Sequence, residues 1–315
     1  MQITPLSDNI FYLEPESMAN YQACAGLLIE AELKITIDPN LGPDHTGKFL
    51  DSQRPDMAFV THFHLDHSAW VNTAAGMGII VCVPEAERLI LGNLDCLMEA
   101  TARPCGLESL WRRFVTDSLG FQPLDSATTY HPGILSRLSR VRIEVLATPG
   151  HSPGHCSFWF PESGILFCGD MGLDRFGPWY GWHNCDLAAM VESICRLRAM
   201  DVRLLVTSHG GIIRKNPAAA WDRALDKIEQ REKRIIAGLE KGLSKERLIE
   251  EGIFFTHKDK VDEPLKTFFY MWDAIMLDHH LRLIADGGLR RLTGSLNFKS
   301  NAGRPSKADQ QPAGA

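Results

Sequence analysis

The 315-residue sequence predicts an α/β fold, and three observations support this prediction. Short apolar and β-branched segments alternate with segments of helical periodicity over the first two thirds of the chain. Histidine and aspartate motifs directly follow several of these predicted strands, where α/β folds hold their functional sites. The last third mixes charged and apolar residues at helical spacing, which predicts a helical C-terminal region.

The first part of the chain is predicted to contain antiparallel strands. Apolar runs broken by Asn, Pro and Gly mark three of them: IFYLEP, CAGLLIEA and LKITIDPN. A polar stretch at 44–52 is a candidate helix, and the apolar run MAFVT at 57–61 is a strand that ends at a cluster of histidines. A helix from about Ser68, a strand in GIIVCV and a short helix in PEAERLI continue the alternation.

Residues 93 to about 120 are predicted to form an inserted helical lid, because LDCLMEATA and LESLWRRFVTDSL are helical in pattern and interrupt a β-rich succession. Strands return in RIEVLAT, CSFWF and ILFCGD, followed by the helix LAAMVESICRLRAM and the strand VRLLVTS. We therefore assign residues 1–215 to one α/β domain and residues 216–296 to the helical C-terminal region. Residues 297–315 contain few large apolar side chains, which predicts a disordered tail.

The composition limits the kinds of partner. Hydrophobic residues at 44% and charged residues at 23% are ordinary for a globular protein, and we expect no membrane span. The net charge of -6 offers no overall attraction for nucleic acid, so we expect a small-molecule substrate instead, with a homodimer left open. The N-terminus lacks the pattern of a secretory signal, so a cytoplasmic location is the default expectation. The scattered cysteines are predicted to be mostly small buried apolar residues.

Three histidines and one aspartate are concentrated directly after the predicted strand at 57–61: His62, His64, Asp66 and His67. Strand alternation puts His62 and His64 on the same side, and the following turn can bring Asp66 and His67 to a second point in the same cleft. Imidazole and carboxylate groups suit zinc, iron and manganese. Two neighbouring divalent ions are therefore predicted, with zinc as the first choice and iron or manganese as alternatives.

The remaining ligands are expected from three further motifs at strand ends: His151 in TPGHSPGH, Asp170 in LFCGD and His209 in TSHGG. Glycine or proline beside each residue permits the tight turn that aims a side chain inward. His155, in the same turn as His151, is predicted to shape the loop by hydrogen bonding, and Cys168 is predicted to be buried and apolar.

The motifs THFHLDH, TPGHSPGH, LFCGD and SHGG, in this order, resemble the successive motifs of the metallo-β-lactamase superfamily over about residues 20–212. The resemblance implies a metallo-β-lactamase αββα sandwich, to which the helical lid and the helical C-terminal region are additions. It also implies two metal sites that share a hydroxide nucleophile: one held by His62, His64 and His151, the other by Asp66, His67 and His209, with Asp170 bridging. Asp66 is the candidate catalytic residue, which orients the attacking water or moves its proton.

Fold and ligands do not name the substrate, because one metal site serves many reactions in this superfamily. The helical additions, LFCGD and HGG look like those of the thioesterase and lactonase branches, loosely the glyoxalase II-like enzymes. Ser68, Ala69 and Trp70 stand where those enzymes carry a glycine pair, which argues against a glutathione thioester. We rank hydrolysis of an ester, thioester or lactone above that of a β-lactam. A phosphodiesterase or nuclease, an iron-dependent oxidoreductase, and a regulatory protein with a vestigial metal site are the alternatives.

The aromatic stretch RFGPWYGW follows Asp170 and is a candidate wall of the substrate pocket, with core packing as the alternative. Its candidate pocket residues are Phe176, Trp179, Tyr180 and Trp182. His279 and His280 are predicted to pack or cap within a C-terminal helix. The alternating charges between Asp222 and Arg234 predict a solvated helix face with ion pairs.

Overall fold

Two β-sheets packed face to face form the centre of the molecule, which we describe from a computed structural model. The structure describes residues 1–17, 22–124, 126–138 and 141–295, so the predicted tail lies outside the described residues. The first sheet has its strands in chain order: β1 (Gln2–Pro5), β2 (Ile10–Glu14), β3 (Gly26–Glu30), β4 (Lys34–Ile37), β5 (Met57–Phe59), β6 (Ile80–Pro84) and β7 (Thr128–Tyr130). Strands β1 to β4 pair antiparallel, as predicted for β2 to β4, and β4 to β7 pair parallel.

The second sheet has the order β13-β12-β11-β10-β9-β8. Its strands are β8 (Gly133–Leu138), β9 (Val141–Ala147), β10 (Cys156–Phe160), β11 (Ile165–Phe167), β12 (Leu204–Val206) and β13 (Ile212–Ile213). Only the β11–β12 pair is parallel among the described strands of this sheet. No sequence pattern predicted β1, β7, β8 and β13, which are short or lie at sheet edges, where no regular apolar alternation marks a strand.

Helices cover the outer faces of the two sheets. They are α1 (Thr46–Gln53), α2 (Leu65–Ser68), α3 (Val71–Gly76), α4 (Arg88–Gly92), α5 (Leu94–Ala100), α6 (Glu108–Arg113), α7 (Leu187–Arg198), α8 (Pro217–Glu240), α9 (Lys245–Glu250), α10 (Leu265–Ala285) and α11 (Gly288–Ser295). Among the described helices, none combines the length and the apolarity needed to cross a membrane. The layers confirm the α/β fold class and its αββα arrangement.

Two apolar cores hold the layers together. One lies between the sheets and contains alternate residues of their strands, such as Leu27, Phe59, Phe158 and Phe167. The other joins the outer faces of both sheets to the helices, and it includes the buried Cys168, as predicted. Burial of these large side chains provides most of the favourable free energy of folding.

Asn216 caps the N-terminus of helix α8, because its side chain accepts a hydrogen bond from the backbone N–H of Ala219. Its buried face includes Arg231 and Glu232, which are only 3% and 6% exposed. The prediction of a solvated helix face with ion pairs is therefore wrong at these two positions. Their spacing from apolar residues of the helix, such as Ile228 and Ile235, places them on the stripe that faces the rest of the protein.

Candidate metal centre

The loops that follow β5, β9, β11 and β12 meet at one edge of the two sheets, and they bring together all seven predicted metal ligands. These ligands fall into two groups, each with one ligand atom per residue and all ligand atoms within 4.8 Å of one another. One group is His62, His64 and His151, and the other is Asp66, His67, Asp170 and His209. Parallel strands end at the same sheet edge, which is why residues so distant in sequence lie side by side.

The three histidines of the first group are buried, and the Nε2 atoms of His62 and His151 are 3.1 Å apart. Burial lowers the pKa of His62 and of His64 well below the usual value of imidazole, and neighbouring imidazoles add to the effect. Neutral imidazoles that converge in this way can offer lone pairs to a cation.

In the second group, His209 Nε2 lies 3.0 Å from Asp66 Oδ2 and 3.3 Å from Asp170 Oδ2. Asp170 Oδ2 is also 3.7 Å from His151 Nε2, so this carboxylate lies between the two groups. Burial would raise the pKa of Asp170, but His209 and His67 hold it well below its usual range. Burial opposes a charged imidazole, yet Asp170 and Asp66 raise the pKa of His209 to about 10.

Ring nitrogens that point away from the centre are held by hydrogen bonds, which aim the other nitrogen inward. His151 Nδ1 is 2.8 Å from the carbonyl oxygen of Trp179, which can only accept. His67 Nδ1 is 2.7 Å from Asp38 Oδ2, and the backbone N–H of Thr61 donates to the other oxygen of Asp38. Asp38 was not predicted from the sequence, although its place directly after β4, the parallel neighbour of β5, was an available signal.

The residues fit a divalent cation. His64 Nε2, His67 Nε2 and Asp170 Oδ1 are buried and have no hydrogen-bond partner among the described residues. Buried polar atoms of this kind almost always have a partner, and a cation bound by the two groups would provide one. The mixture of imidazole and carboxylate suits zinc, manganese or iron.

His155 lies beside the centre and supports one of its loops, as the sequence predicted. Its Nδ1 is 2.8 Å from Thr148 Oγ1, and its Nε2 accepts a hydrogen bond of 3.1 Å from the backbone N–H of Asp170. Burial lowers the pKa of His155 to about 3, so the ring stays neutral and its Nε2 remains an acceptor. The ring thereby connects its own loop, which contains Thr148 and His151, to the loop that carries Asp170.

A cavity of about 300 Å³ opens onto the centre. Three parts of the chain contribute apolar walls: the insertion, the loop at 176–182, here called the aromatic loop, and the C-terminal helical region. The apolar lining residues from these parts are Leu97, Trp111, Phe114, Leu119, Phe176, Trp179, Trp182, Phe255, Leu265 and Trp272. The cavity also exposes His64, Asp66, His151, Asp170 and His209, so a molecule bound in it would touch the centre.

Tyr180 is the one predicted pocket residue that does not line this cavity. It is fully buried, and its hydroxyl lies 2.7 Å from His280 Nε2 and 3.3 Å from Arg231 Nη1. Its neighbour Trp179 contacts the rings of His64 and His151 instead. Tyr180 therefore faces the core, and its predicted pocket role is corrected.

The C-terminal helices hold the aromatic loop in place. Arg231 donates to the carbonyl oxygens of Phe176, at 2.8 Å, and of Pro178. His279 Nε2 lies 2.9 Å from the carbonyl oxygen of Trp182. The sequence predicted packing for the two adjacent histidines, but it carried no signal that Arg231 is an anchor.

Comparisons with known proteins agree on one family. The family model of the metallo-beta-lactamase superfamily matches residues 37–209. A metallo-beta-lactamase family protein from Thermus thermophilus has a similar structure, with a TM-score of 0.68, 20% identity and coverage of 90% of this chain and 95% of that chain. A beta-lactamase domain protein from Burkholderia ambifaria gives a TM-score of 0.70 at 20% identity, with coverage of 91% and 90%.

Curated relatives match a smaller part of the chain. A hydroxyacylglutathione hydrolase of Mesorhizobium japonicum is 26% identical over 151 residues, which cover 46% of this chain and 44% of the relative. The protein of the same name from Bartonella quintana is 29% identical over 157 residues, 48% of this chain and 47% of the relative. The chain thus spans less than half the length of these curated relatives.

Proposed function

The chain belongs to the metallo-β-lactamase superfamily, whose family model matches over half of its length, and we propose that it hydrolyses an ester, thioester or lactone with an apolar acyl or aryl group. The observation that carries the proposal is the aromatic cavity that opens onto the metal centre. The hydroxyacylglutathione hydrolases among the relatives support hydrolysis, although they match only part of the chain.

We propose that two divalent ions bind at this metal centre, with zinc as the first choice of metal. His62, His64 and His151 would hold one ion, Asp66, His67 and His209 the other, and Asp170 would contact both. Divalent ions in such sites lower the pKa of a water molecule from 15.7 to about 7 and polarise the carbonyl oxygen of a substrate.

The chain's own residues orient the substrate and exclude water. The carboxylate of Asp66 faces the cavity, and we assign to it the orientation of the attacking water and acceptance of its proton. Trp179 packs edge-on against the ring of His64, so an acyl or aryl group on its cavity side would lie directly beside the centre. Aromatic walls exclude bulk water, which strengthens the electrostatic stabilisation of a developing oxyanion.

The lining also bears on the choice among substrates. Within the described part of the chain, no Lys or Arg side chain lines the cavity, whereas these side chains are the common protein ligands of phosphate oxygens. An uncharged, apolar substrate therefore suits this cavity better than a phosphodiester, a nucleic acid or the charged glutathione group.

The test combines elemental analysis with kinetics. We expect close to two metal ions per chain, and a higher kcat/KM for an aryl thioester than for bis(p-nitrophenyl) phosphate. Trp179→Ala should lower kcat/KM for the aryl thioester by about tenfold, because an aromatic contact contributes about 1.4 kcal/mol. Trp159→Ala is the control, since Trp159 on β10 does not line the cavity. A preference for the phosphodiester that Trp179→Ala leaves unchanged would refute the proposal.

A further inference from the structure

Glu87 is a fully buried carboxylate that none of the proposed chemistry uses. It ends the short 3₁₀ helix Glu85–Glu87, which follows β6, the strand next to β5 in the first sheet. The sequence predicts only a short helix there. Acidic residues are almost never fully buried unless they are paired, so its partners define what it does.

Among the described residues, three groups donate hydrogen bonds to the Glu87 carboxylate, and all three lie in the two loops that carry the histidines of the first ligand group. The backbone N–H of Phe63, between His62 and His64, donates to Oε2 at 2.6 Å. The hydroxyl of Ser152, the residue after His151, donates to Oε1. The backbone N–H of Gly154 donates to the same oxygen at 2.8 Å.

The packing around these hydrogen bonds leaves little freedom. A Cβ atom at Gly154 would lie 2.6 Å from Cγ of Glu87, so glycine is needed for this approach. The carbonyl group of Phe63 is held as well, because Ser68 Oγ donates to the carbonyl oxygen of Phe63 at 2.9 Å. The peptide groups on both sides of Phe63 are thus fixed, and with them the backbone that carries His62 and His64.

The energetic cost of burying the Glu87 carboxylate also depends on these three donors. Burying a carboxylate is costly unless hydrogen bonds replace its hydration. Burial raises the pKa of Glu87 to about 7, and the bonds from Ser152, Gly154 and Phe63 act against that rise. The acid is therefore kept at this position by donors that belong to both histidine loops, and its contacts with them are formed only when the two loops sit at the correct distance.

We propose that Glu87 is a positioning residue that clamps the loop of His62 and His64 to the loop of His151 and so presets the three-histidine metal site. The inference rests on the proposed metal centre but on no particular substrate. Partners that orient metal ligands typically change metal affinity by about 10- to 100-fold when they are removed.

The experiment measures Zn²⁺ binding to the metal-free full chain by chelator competition, together with the visible absorption of the Co²⁺-loaded protein. Glu87→Gln cannot accept all three hydrogen bonds, because one of its terminal atoms is a donor. We expect it to weaken binding of Zn²⁺ by about 10- to 100-fold and to alter the Co²⁺ spectrum. Ser152→Ala removes a single donor and should cause a smaller loss in the same direction.

Glu232→Gln is the matched control, since Glu232 is also buried and accepts hydrogen bonds from a backbone N–H, that of Leu289, away from the centre. It should reduce stability without changing Zn²⁺ affinity. Unchanged Zn²⁺ affinity in both Glu87→Gln and Ser152→Ala would overturn the inference, as would an equal loss in Glu232→Gln. If Glu87→Gln does not fold, the result for Ser152→Ala decides. A wild-type chain that binds no metal would overturn the proposed function as well, whereas binding without hydrolysis would leave the inference intact.

Discussion

Replacement of Arg231 by methionine tests whether the C-terminal helical region supports the metal centre. Arg231 is 3% exposed, and its guanidinium anchors the aromatic loop through the carbonyl oxygens of Phe176 and Pro178. The carbonyl oxygen of Trp179, in the same loop, accepts from His151. Methionine keeps the length and the apolar stem of the side chain but donates no hydrogen bond.

The size of the effect follows from these contacts. The carbonyl oxygen of Pro178 is buried and that of Phe176 partly buried, and an unsatisfied buried polar group costs about 1–3 kcal/mol. The guanidinium also lies over the rings of Phe176 and Phe254, at 4.8 and 5.4 Å from their centroids, which adds about 0.5–2 kcal/mol. The substitution also removes the desolvation cost of the buried guanidinium, which offsets part of this loss of stability. We expect a net loss of about 2 kcal/mol in the free energy of unfolding.

Urea unfolding of the metal-free protein measures that loss, and chelator competition measures whether Zn²⁺ affinity falls by about tenfold or more, as expected when His151 loses its orientation. Lys233→Met is the control, because Lys233 is on the same helix but its side chain is 59% exposed, so its effect should stay within about 0.5 kcal/mol. An Arg231→Met protein as stable as Lys233→Met would refute the anchoring role. Lower stability with unchanged Zn²⁺ affinity would refute the link to His151.

Two further predictions concern the loop of Asp170 and the acid sensitivity of the C-terminal helices. Asp170→Ala should lower kcat/KM by more than about 100-fold, because it removes the carboxylate between the two ligand groups. His155→Ala removes only a hydrogen bond that supports the same loop, so it should lower kcat/KM by no more than about 100-fold. Both variants are checked for folding by circular dichroism, and an equal loss of metal in the two would show that the ligand assignment is wrong. Burial, with Arg231 nearby, lowers the pKa of His280 from 6.5 to about 3. The imidazole therefore binds a proton more strongly in the unfolded chain than in the folded protein. The stability that the neutral His280 contributes is lost as the pH falls from about 6.5 towards 3. The difference in unfolding free energy between wild type and His280→Gln should therefore fall by about 2 kcal/mol from pH 8 to pH 5, and a difference that does not change with pH would contradict the buried neutral state.

The local pattern of the sequence was enough to predict the fold class and to select seven residues that the structure brings together. Both predictions depend on short-range regularities. Apolar runs mark the central strands, and the site residues follow these strands directly, so that sheet geometry collects them at one edge. Edge strands such as β1 were not predicted, because their exposed side chains leave them without a regular apolar pattern.

Only the tertiary structure identified the residues that hold the loops of the site in place. Glu87 and Ser152 are 65 positions apart in the chain, and Arg231 and Pro178 are 53 positions apart. A buried charge is tolerated only where the fold places hydrogen-bond partners around it, and no local sequence pattern shows which distant residues these will be. The orientation of Tyr180 toward the core and of Trp179 toward the cavity is likewise set by what packs on each side of the aromatic loop, because an isolated aromatic segment has no preferred face.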